Sequence, residues 1–204
     1  VKQLEEIYTQ LKKQPQHSYD YESSIHSTST KTFGDGIGNF LDLDTVIKAS
    51  QAISGEIHFE KLLEKMMKIL LENAGAERGF FLLKEKEKWF VKAEGNANTE
   101  TISLLDAIPL EGNINLCASI VNYVVHTKQI ILLNDASKKG IFVNDGYIKV
   151  KQPKSILCYP VINQGNLLCV VYLENNLSTD AFTSDRIKIL NILSSQIALS
   201  VENS

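Results

Sequence analysis

The chain has 204 residues, of which 44% are hydrophobic and 22% charged, enough apolar material for one large domain and too much for a wholly disordered chain. The 21 Lys and Arg residues against 24 Asp and Glu residues leave a net charge of -3, so nucleic acid is not an expected partner. The longest apolar runs are far shorter than the roughly 20 residues of a membrane-spanning helix. We therefore expect no membrane partner.

Three cysteines, Cys117, Cys158 and Cys169, lie in apolar stretches without CxxC spacing. An odd number of cysteines in such surroundings argues against a disulfide framework and indicates a reducing, cytoplasmic compartment. No two histidines have the i, i+4 spacing of a helical metal site, so we expect no bound metal. The chain starts at Val1 without a leader, and we interpret it as a piece of a longer protein.

Two N-terminal segments precede the predicted compact domain. Apolar residues recur with helical spacing in residues 1–14, which are predicted to end an upstream helix. Residues 15–40 are rich in Ser, Thr, Gly and His and have too little apolar surface to offset the entropy of ordering, which predicts a flexible linker. The compact domain is predicted to span residues 41–204.

Two helices are predicted at the start of this domain. A narrow apolar stripe with helical spacing runs from Leu43 to Ile53 and is followed by a break at Gly55, and a broader stripe runs from about Phe59 to Ala74. Gly75 follows the second stripe and has the position of a C-cap.

After Gly75 the hydrophobic period changes to that of strands. Strands are predicted at Gly79 to Lys84, Trp89 to Glu94, Thr101 to Ala107, Ser155 to Ile162 and Leu167 to Glu174, with a short apolar run at Ile130 to Leu133. Between them, Cys117 to His126 has a helical repeat, and a polar loop begins at Asn134. Gly165 suits a tight hairpin between the last two strands, so we expect the domain to close on an antiparallel pair.

The segment from Thr183 onward is predicted to be a helix that is apolar on two sides. One side carries Ile187, Leu190, Ile197, Ala198 and Val201, and the other carries Ile189, Ile192 and Leu199. One side can cover the domain's own sheet, so the other predicts contact with the same helix of a second copy and hence a homodimer. The alternative is that both sides are buried within one domain.

Four stretches closely resemble the GAF segment of large hybrid sensor histidine kinases. They are LDLDTVIKASQAISGEI (Leu41 to Ile57), KLLEKMMKILLENAGAERGFFLL (Lys61 to Leu83), QPKSILCYPVINQGNLLCVVYLENN (Gln152 to Asn176) and AFTSDRIKILNILSSQIALSVEN (Ala181 to Asn203). In such proteins, serine/threonine-kinase-like and ATPase-like regions precede the GAF domain, and a histidine kinase module follows it.

The resemblance implies an α+β fold with a central antiparallel sheet, terminal helices on one face and a pocket closed by a helix and loop on the other. It also implies a regulatory module, not an enzyme, that binds a small molecule or transmits conformational change to the kinase module. The sequence fits this expectation, because it has no GxSxG, HExxH, HRD, DFG or Walker motif, and we assign no catalytic residue.

Three specialised members of this family offer more specific comparisons. Cyclic-nucleotide-binding GAF domains have an Asn-Lys, Phe and Asp-Glu pattern, which this chain matches in part with Asn175, Asn176, Phe182, Asp185 and Arg186. Bilin-binding members use a cysteine followed by His or Leu, whereas Cys117 is followed by Ala. Free methionine sulfoxide reductases have a Trp-Cys pattern that this chain lacks. These departures argue against all three activities.

The polar loop supplies the candidate ligand-binding residues. Hydrogen-bonding side chains and two aromatic rings are concentrated in the segment expected to cover the pocket, as a small ligand requires. The set is Asn134, Asp135, Phe142, Asn144, Asp145, Tyr147 and Ser155. The alternative is that Asn134 and Asp135 satisfy backbone groups of a turn.

Three functions remain open at this point. The leading hypothesis is a sensory module that dimerises through residues 41–57 and 187–201 and signals to a downstream histidine kinase of the same chain. The others are a ligand-free dimerisation scaffold and a cyclic-nucleotide switch with a divergent pocket. The sequence identifies no cofactor.

Overall fold

The computed structural model describes residues 59–202. Within them the chain forms four helices and six strands. They are α1 (Phe59–Ala74), β1 (Arg78–Glu85), β2 (Lys88–Asn96), β3 (Thr101–Pro109), α2 (Ala118–Thr127), β4 (Ile131–Leu133), α3 (Gly146–Lys151), β5 (Ser155–Asn163), β6 (Asn166–Asn175) and α4 (Ser184–Glu202). None of these helices combines the length and apolar character that crossing a bilayer requires.

The six strands form one antiparallel sheet in the order β3-β2-β1-β6-β5-β4. β1 and β6 are central, and their register places Arg78 opposite Glu174. The β5–β6 hairpin turns at Gln164 and Gly165, which both have positive φ, of 47° and 81°. Positive φ at both central residues is typical of the type I′ turn that matches strand twist, so the predicted hairpin is confirmed.

Helices α1 and α4 cover one face of the sheet. Side chains of α1 such as Met66, Met67 and Leu70 are fully buried against Phe81 and Leu173 of the central strands. Each such side chain contributes roughly 1.5–3 kcal/mol to the free energy of unfolding by its removal from water. The broad apolar face predicted for this helix is therefore one half of the main core.

Helices α2 and α3 and the loop between them cover the opposite face. Phe80 and Tyr172 of the central strands meet there edge to face, with ring centroids 6.0 Å apart. Ile120 of α2 and Ile148 of α3 pack into the same cluster. This arrangement confirms the predicted α+β architecture, with terminal-helix and loop-covered faces on opposite sides of an antiparallel sheet.

The described elements begin and end close to the predicted bounds, with one exception. The bounds of α1 are those predicted, and Gly75 follows it with φ of +67°, as a C-cap requires. The exception is α3, which lies in the segment predicted to be a polar loop. The predictions for residues 1–57, including the linker and the first helix of the domain, fall outside the described residues.

Helix α4 differs in part from its predicted two-sided division. Ile189 was assigned to the outward side but is only 7% exposed and packs in the core. Ile192 and Leu199 are 49% and 53% exposed. The core-facing surface of α4 is thus wider than the spacing of its apolar residues predicts, because the helix lies against both α1 and β5.

Candidate functional site

A buried carboxyl group lies at the end of the central strand β6. The Glu174 side chain is 1% exposed and accepts three hydrogen bonds. The donors to its Oε2 atom are the hydroxyls of Tyr147, at 2.8 Å, and Tyr172, at 3.1 Å; Nδ2 of Asn176 donates to Oε1 at 3.0 Å. These donors satisfy a group whose burial is otherwise costly.

Arg78 provides a positive charge on the neighbouring strand. Its guanidinium donates to Oε1 of Glu94 at 3.1 Å and lies 5.2 Å from the ring centroid of Phe80. Burial lowers the pKa of Arg78, but the hydrogen bond to Glu94 and the charges of nearby groups, including Glu174, outweigh it and raise the pKa overall. Arg78 therefore stays charged near Glu174 and its hydrogen-bond donors.

The two tyrosines beside Glu174 remain protonated. Burial, and then the negative charge of Glu174, raise the pKa of Tyr147 and of Tyr172 above the ordinary value of 10.0. The Tyr147 hydroxyl oxygen also lies 3.1 Å from the carbonyl oxygen of Asn115. Both phenols therefore keep their protons and can act as hydrogen-bond donors to Glu174.

Asp145 determines the position of α3. It is the N-cap of this helix, and its Oδ1 accepts from the backbone N–H of Tyr147 at 2.8 Å. Its Oδ2 accepts from the hydroxyl of Ser119 on α2. Asp145 therefore fixes α3 to α2 and thereby brings Tyr147 to Glu174. Burial, together with the nearby Asp145 charge, also raises the pKa of the Cys117 thiol to about 12.

Ser155 has a structural role that the sequence did not show. It is fully buried, and its Oγ donates to the carbonyl of Ser178 at 3.0 Å and accepts from the N–H of Ala181 at 3.2 Å. The same oxygen lies 3.3 Å from the carbonyl of Asn134. Its hydrogen-bonding capacity is therefore used to connect three chain segments at the start of β5.

The other four candidate residues of the loop differ in their surroundings. Asn134 and Asn144 are exposed, and the backbone carbonyl of Asp135 accepts from two N–H groups of the following turn. Phe142 is 3% exposed and packs edge to face against Tyr123 of α2. Of the predicted set, Asp145 and Tyr147 are joined to each other, and Tyr147 also contacts Glu174.

The five residues compared with cyclic-nucleotide-binding members have contacts within the fold. Asn175 donates to the carbonyl of Gly75 at 2.9 Å, and Nη1 of Arg186 donates to the carbonyl of Ala181 at 2.5 Å. Phe182 is in the core, Asp185 accepts from Lys188 at 3.0 Å, and Asn176 donates to Glu174. The chain uses these positions to join β6, α1 and α4.

Sequence analysis did not single out Glu174, Tyr172 or Arg78. The available signal was a carboxylate in the same strand as the buried run Cys169 to Leu173, directly before two asparagines. Alternation along β6 places Tyr172 and Glu174 on one face. Arg78 becomes a candidate only through the register of β1 with β6.

A family model described as "GAF domain" matches residues 58–201, well over half of the chain. The chain belongs to the GAF domain family. The chain is 27% identical to hybrid signal transduction histidine kinase G of Dictyostelium discoideum, in a match that covers 98% of this chain and 9% of that protein. It is 22% identical to the peroxide stress-activated histidine kinase mak3 of Schizosaccharomyces pombe over 81% of this chain and 7% of that protein.

The chain spans less than a tenth of the length of these curated relatives. Among solved structures, the GAF domain of a phosphoenolpyruvate-protein phosphotransferase from Acinetobacter matches with a TM-score of 0.61 at 18% identity. That match covers 81% of this chain and 95% of the other and shows the fold. A GAF domain with relatives among histidine kinases indicates a regulatory, sensory role.

Proposed function

We propose that this GAF domain relays conformational change through a homodimer to a histidine kinase module downstream in the same chain. One observation carries the proposal: Ile192 and Leu199 are about half exposed on α4, whereas Leu190, Leu193 and Ile197 of the same helix are at most 3% exposed. The helix thus has one apolar surface in the core and two large apolar side chains outside it.

The spacing of the two exposed side chains supports a helix as the partner. Ile192 and Leu199 are seven residues apart, so they lie nearly above one another on the outward surface of α4. In a symmetric pair, each copy presents this surface to the same surface of the other. The predicted helix of residues 41–57 would extend the interface beyond the described residues.

We further propose that a small molecule is the input, acting at the sheet face that α2 and α3 cover. Asp145 and Tyr147 belong to that face, and Glu174 supplies a buried acceptor beside them. A second candidate function is ligand-free assembly. It is favoured by the packing there, since Leu116, Ile120 and Phe142 are at most 3% exposed and fill the space against the sheet.

An Ile192→Asp variant tests the dimer. A charge buried in a helical interface costs several kcal/mol, so sedimentation velocity should show a folded monomer where the parent chain is a dimer. Val150→Asp is the matched control, because Val150 is 79% exposed on α3 and the same change there should leave the dimer intact. Ile192→Asp chains that remain dimeric would contradict the proposal.

Native mass spectrometry at low collision energy distinguishes the two candidate functions. A dimer that retains additional small-molecule mass supports ligand-gated relay. A dimer without bound small molecule supports ligand-free assembly if no added small molecule raises its thermal midpoint. The reason is that any ligand that binds only the folded state must stabilise it.

A further inference from the structure

Three consecutive residues at the end of β6 contact elements on both faces of the sheet. Glu174 accepts from Tyr147 of α3 on one face. Asn175 donates through Nδ2 to the carbonyl of Gly75, at the end of α1 on the other face, at 2.9 Å. We call residues 174–176 the β6 junction.

On the first face, the junction holds a small covering element. We call residues 145–151, which comprise α3 and its N-cap, the lid. Tyr147 attaches it to Glu174 and to the carbonyl of Asn115, Asp145 attaches it to Ser119, and the buried side chain of Ile148 lies in the core. Lys149, Val150 and Lys151 are exposed, so a helix of six residues is held by few contacts.

On the second face, the junction reaches the first turn of α4 through Gly75. The guanidinium of Arg186 lies directly against Gly75, since a Cβ built there would be 2.0 Å from Nη1. The same Nη1 donates to the carbonyl of Ala181, just before α4. A shift of Asn175 would therefore move the carbonyl of Gly75, and the Arg186 guanidinium packs against Gly75.

Asn176 leaves the junction with one unmet hydrogen bond. Its Nδ2 donates to Glu174 at 3.0 Å, and its N–H donates to Glu77 at 2.9 Å. Its Oδ1, however, is buried without a hydrogen-bond partner among the described residues. A buried acceptor without a partner is costly. Any rearrangement of the junction that gives this oxygen a donor would recover that cost.

We propose that the Tyr147–Glu174 hydrogen bond is a latch that couples the lid to the first turn of α4 through the β6 junction. When the latch opens, Glu174 loses a donor, the Asn176 amide re-pairs, and Asn175 shifts relative to Gly75. The proposal rests on the proposed function only in taking α4 as the output helix. The coupling itself consists of hydrogen bonds within one chain, from Tyr147 to Glu174 and from Asn175 to Gly75.

Hydrogen exchange followed by mass spectrometry tests the latch with a matched pair of variants. Tyr147→Phe removes the hydroxyl bonded to Glu174, whereas Ser119→Ala removes the hydrogen bond to Asp145 and leaves the Tyr147 hydroxyl able to bind Glu174 whenever the lid is closed. Both should speed exchange in residues 145–151 about fivefold, as expected for one lost hydrogen bond. Tyr147→Phe should also speed exchange in residues 181–188, and by more than Ser119→Ala does, because it removes the latch from the closed lid as well as from the open one.

Two results would overturn the latch: faster exchange confined to the lid in Tyr147→Phe, or an equal effect of both variants on residues 181–188. The Asn175→Ala background is a further test, since adding Tyr147→Phe there should speed the lid alone. If Tyr147→Phe does not fold, Glu174→Gln replaces it, because it keeps the side-chain volume while removing the charge that the hydroxyl binds.

A further comparison distinguishes a failure of the latch proposal from a failure of the dimer proposal. Exchange in residues 181–188 is compared in the Ile192→Asp background as well as in the parent chain. A response that persists in monomers supports the latch whatever the fate of the dimer. A response absent from monomers and dimers alike overturns the latch and leaves the dimer proposal intact.

Discussion

The hydroxyl of Tyr147 and the carboxylate of Glu174 lie 2.8 Å apart, although 27 positions separate them in the chain. Tyr147 is on a six-residue helix, and Glu174 ends a central strand. The contact depends on Asp145, which caps the helix and binds Ser119 of α2. A residue of the covering segment is thereby joined to the strand that precedes the last helix.

The Gly75→Ala variant should lower the free energy of unfolding by about 2–4 kcal/mol. Part of this loss is the roughly 1–2 kcal/mol of placing a Cβ at positive φ. The rest arises because the Cβ displaces the Arg186 guanidinium from the carbonyl of Ala181, a hydrogen bond from a charged group. Urea denaturation measures the total change in the free energy of unfolding.

Gly112→Ala is the matched control for this change. Gly112 also has positive φ, +79°, but a Cβ there meets nothing within 4 Å. It should therefore lose only the roughly 1–2 kcal/mol of backbone strain. Equal losses at the two glycines would show that Arg186 contributes nothing at Gly75.

The Ser155→Ala variant should be destabilised by about 1–3 kcal/mol, because it leaves the buried N–H of Ala181 without its acceptor. Ser178→Ala is the comparison, since that exposed hydroxyl has only a 3.5 Å contact with Asn175 and should change stability by less than about 0.5 kcal/mol. A stability in Ser155→Ala equal to that of Ser178→Ala would refute the structural role assigned to this hydroxyl.

The elements that the sequence predicted well are those with long, regular hydrophobic patterns. Helix α1 has an apolar face over 16 residues, and strands β5 and β6 are nearly continuous apolar runs joined by a glycine turn. Such patterns report burial directly, and burial decides these elements. Helix α3 has six residues and one buried side chain, Ile148, too little for any period to show.

The candidate site was harder to predict because its partners come from distant positions. Asp145 stands out in the sequence only as a polar residue of the covering segment, and the pattern does not reveal that its side chain caps α3. Ser155 resembles a pocket residue in sequence, yet it satisfies buried backbone groups. Glu174 has two local donors, Tyr172 and Asn176, but it gains Tyr147 only when α3 is placed beside β6, and it faces Arg78 only through the register of β1 with β6.

The free energy of unfolding should fall as the pH rises above about 9. Burial raises the pKa of Cys117 to about 12, and it raises those of Cys158 and Cys169 well above 9.0. The unfolded chain then releases thiol protons that the folded chain retains, so stability is full below pH 9 and is lost toward pH 12. The slope is about 1.4 kcal/mol per pH unit for each thiol.

Urea denaturation between pH 7 and 11 measures this loss. The Cys169→Ala variant should have a shallower decline above pH 9, because one of the three raised thiols is gone. Stability that stays constant up to pH 11 would contradict the burial of these thiols.

The measurement that tests the central claim most directly is disulfide cross-linking at the outward surface of α4. The native cysteines are all buried, so an added exposed thiol reports its own surroundings. In a symmetric helix pair, identical positions face each other. Upon mild oxidation, Leu199→Cys should form a covalent dimer, whereas Val150→Cys, at a position on α3 that is more exposed than Leu199, should remain monomeric. Equal cross-linking of the two variants, or none at Leu199→Cys, would contradict relay through paired α4 helices.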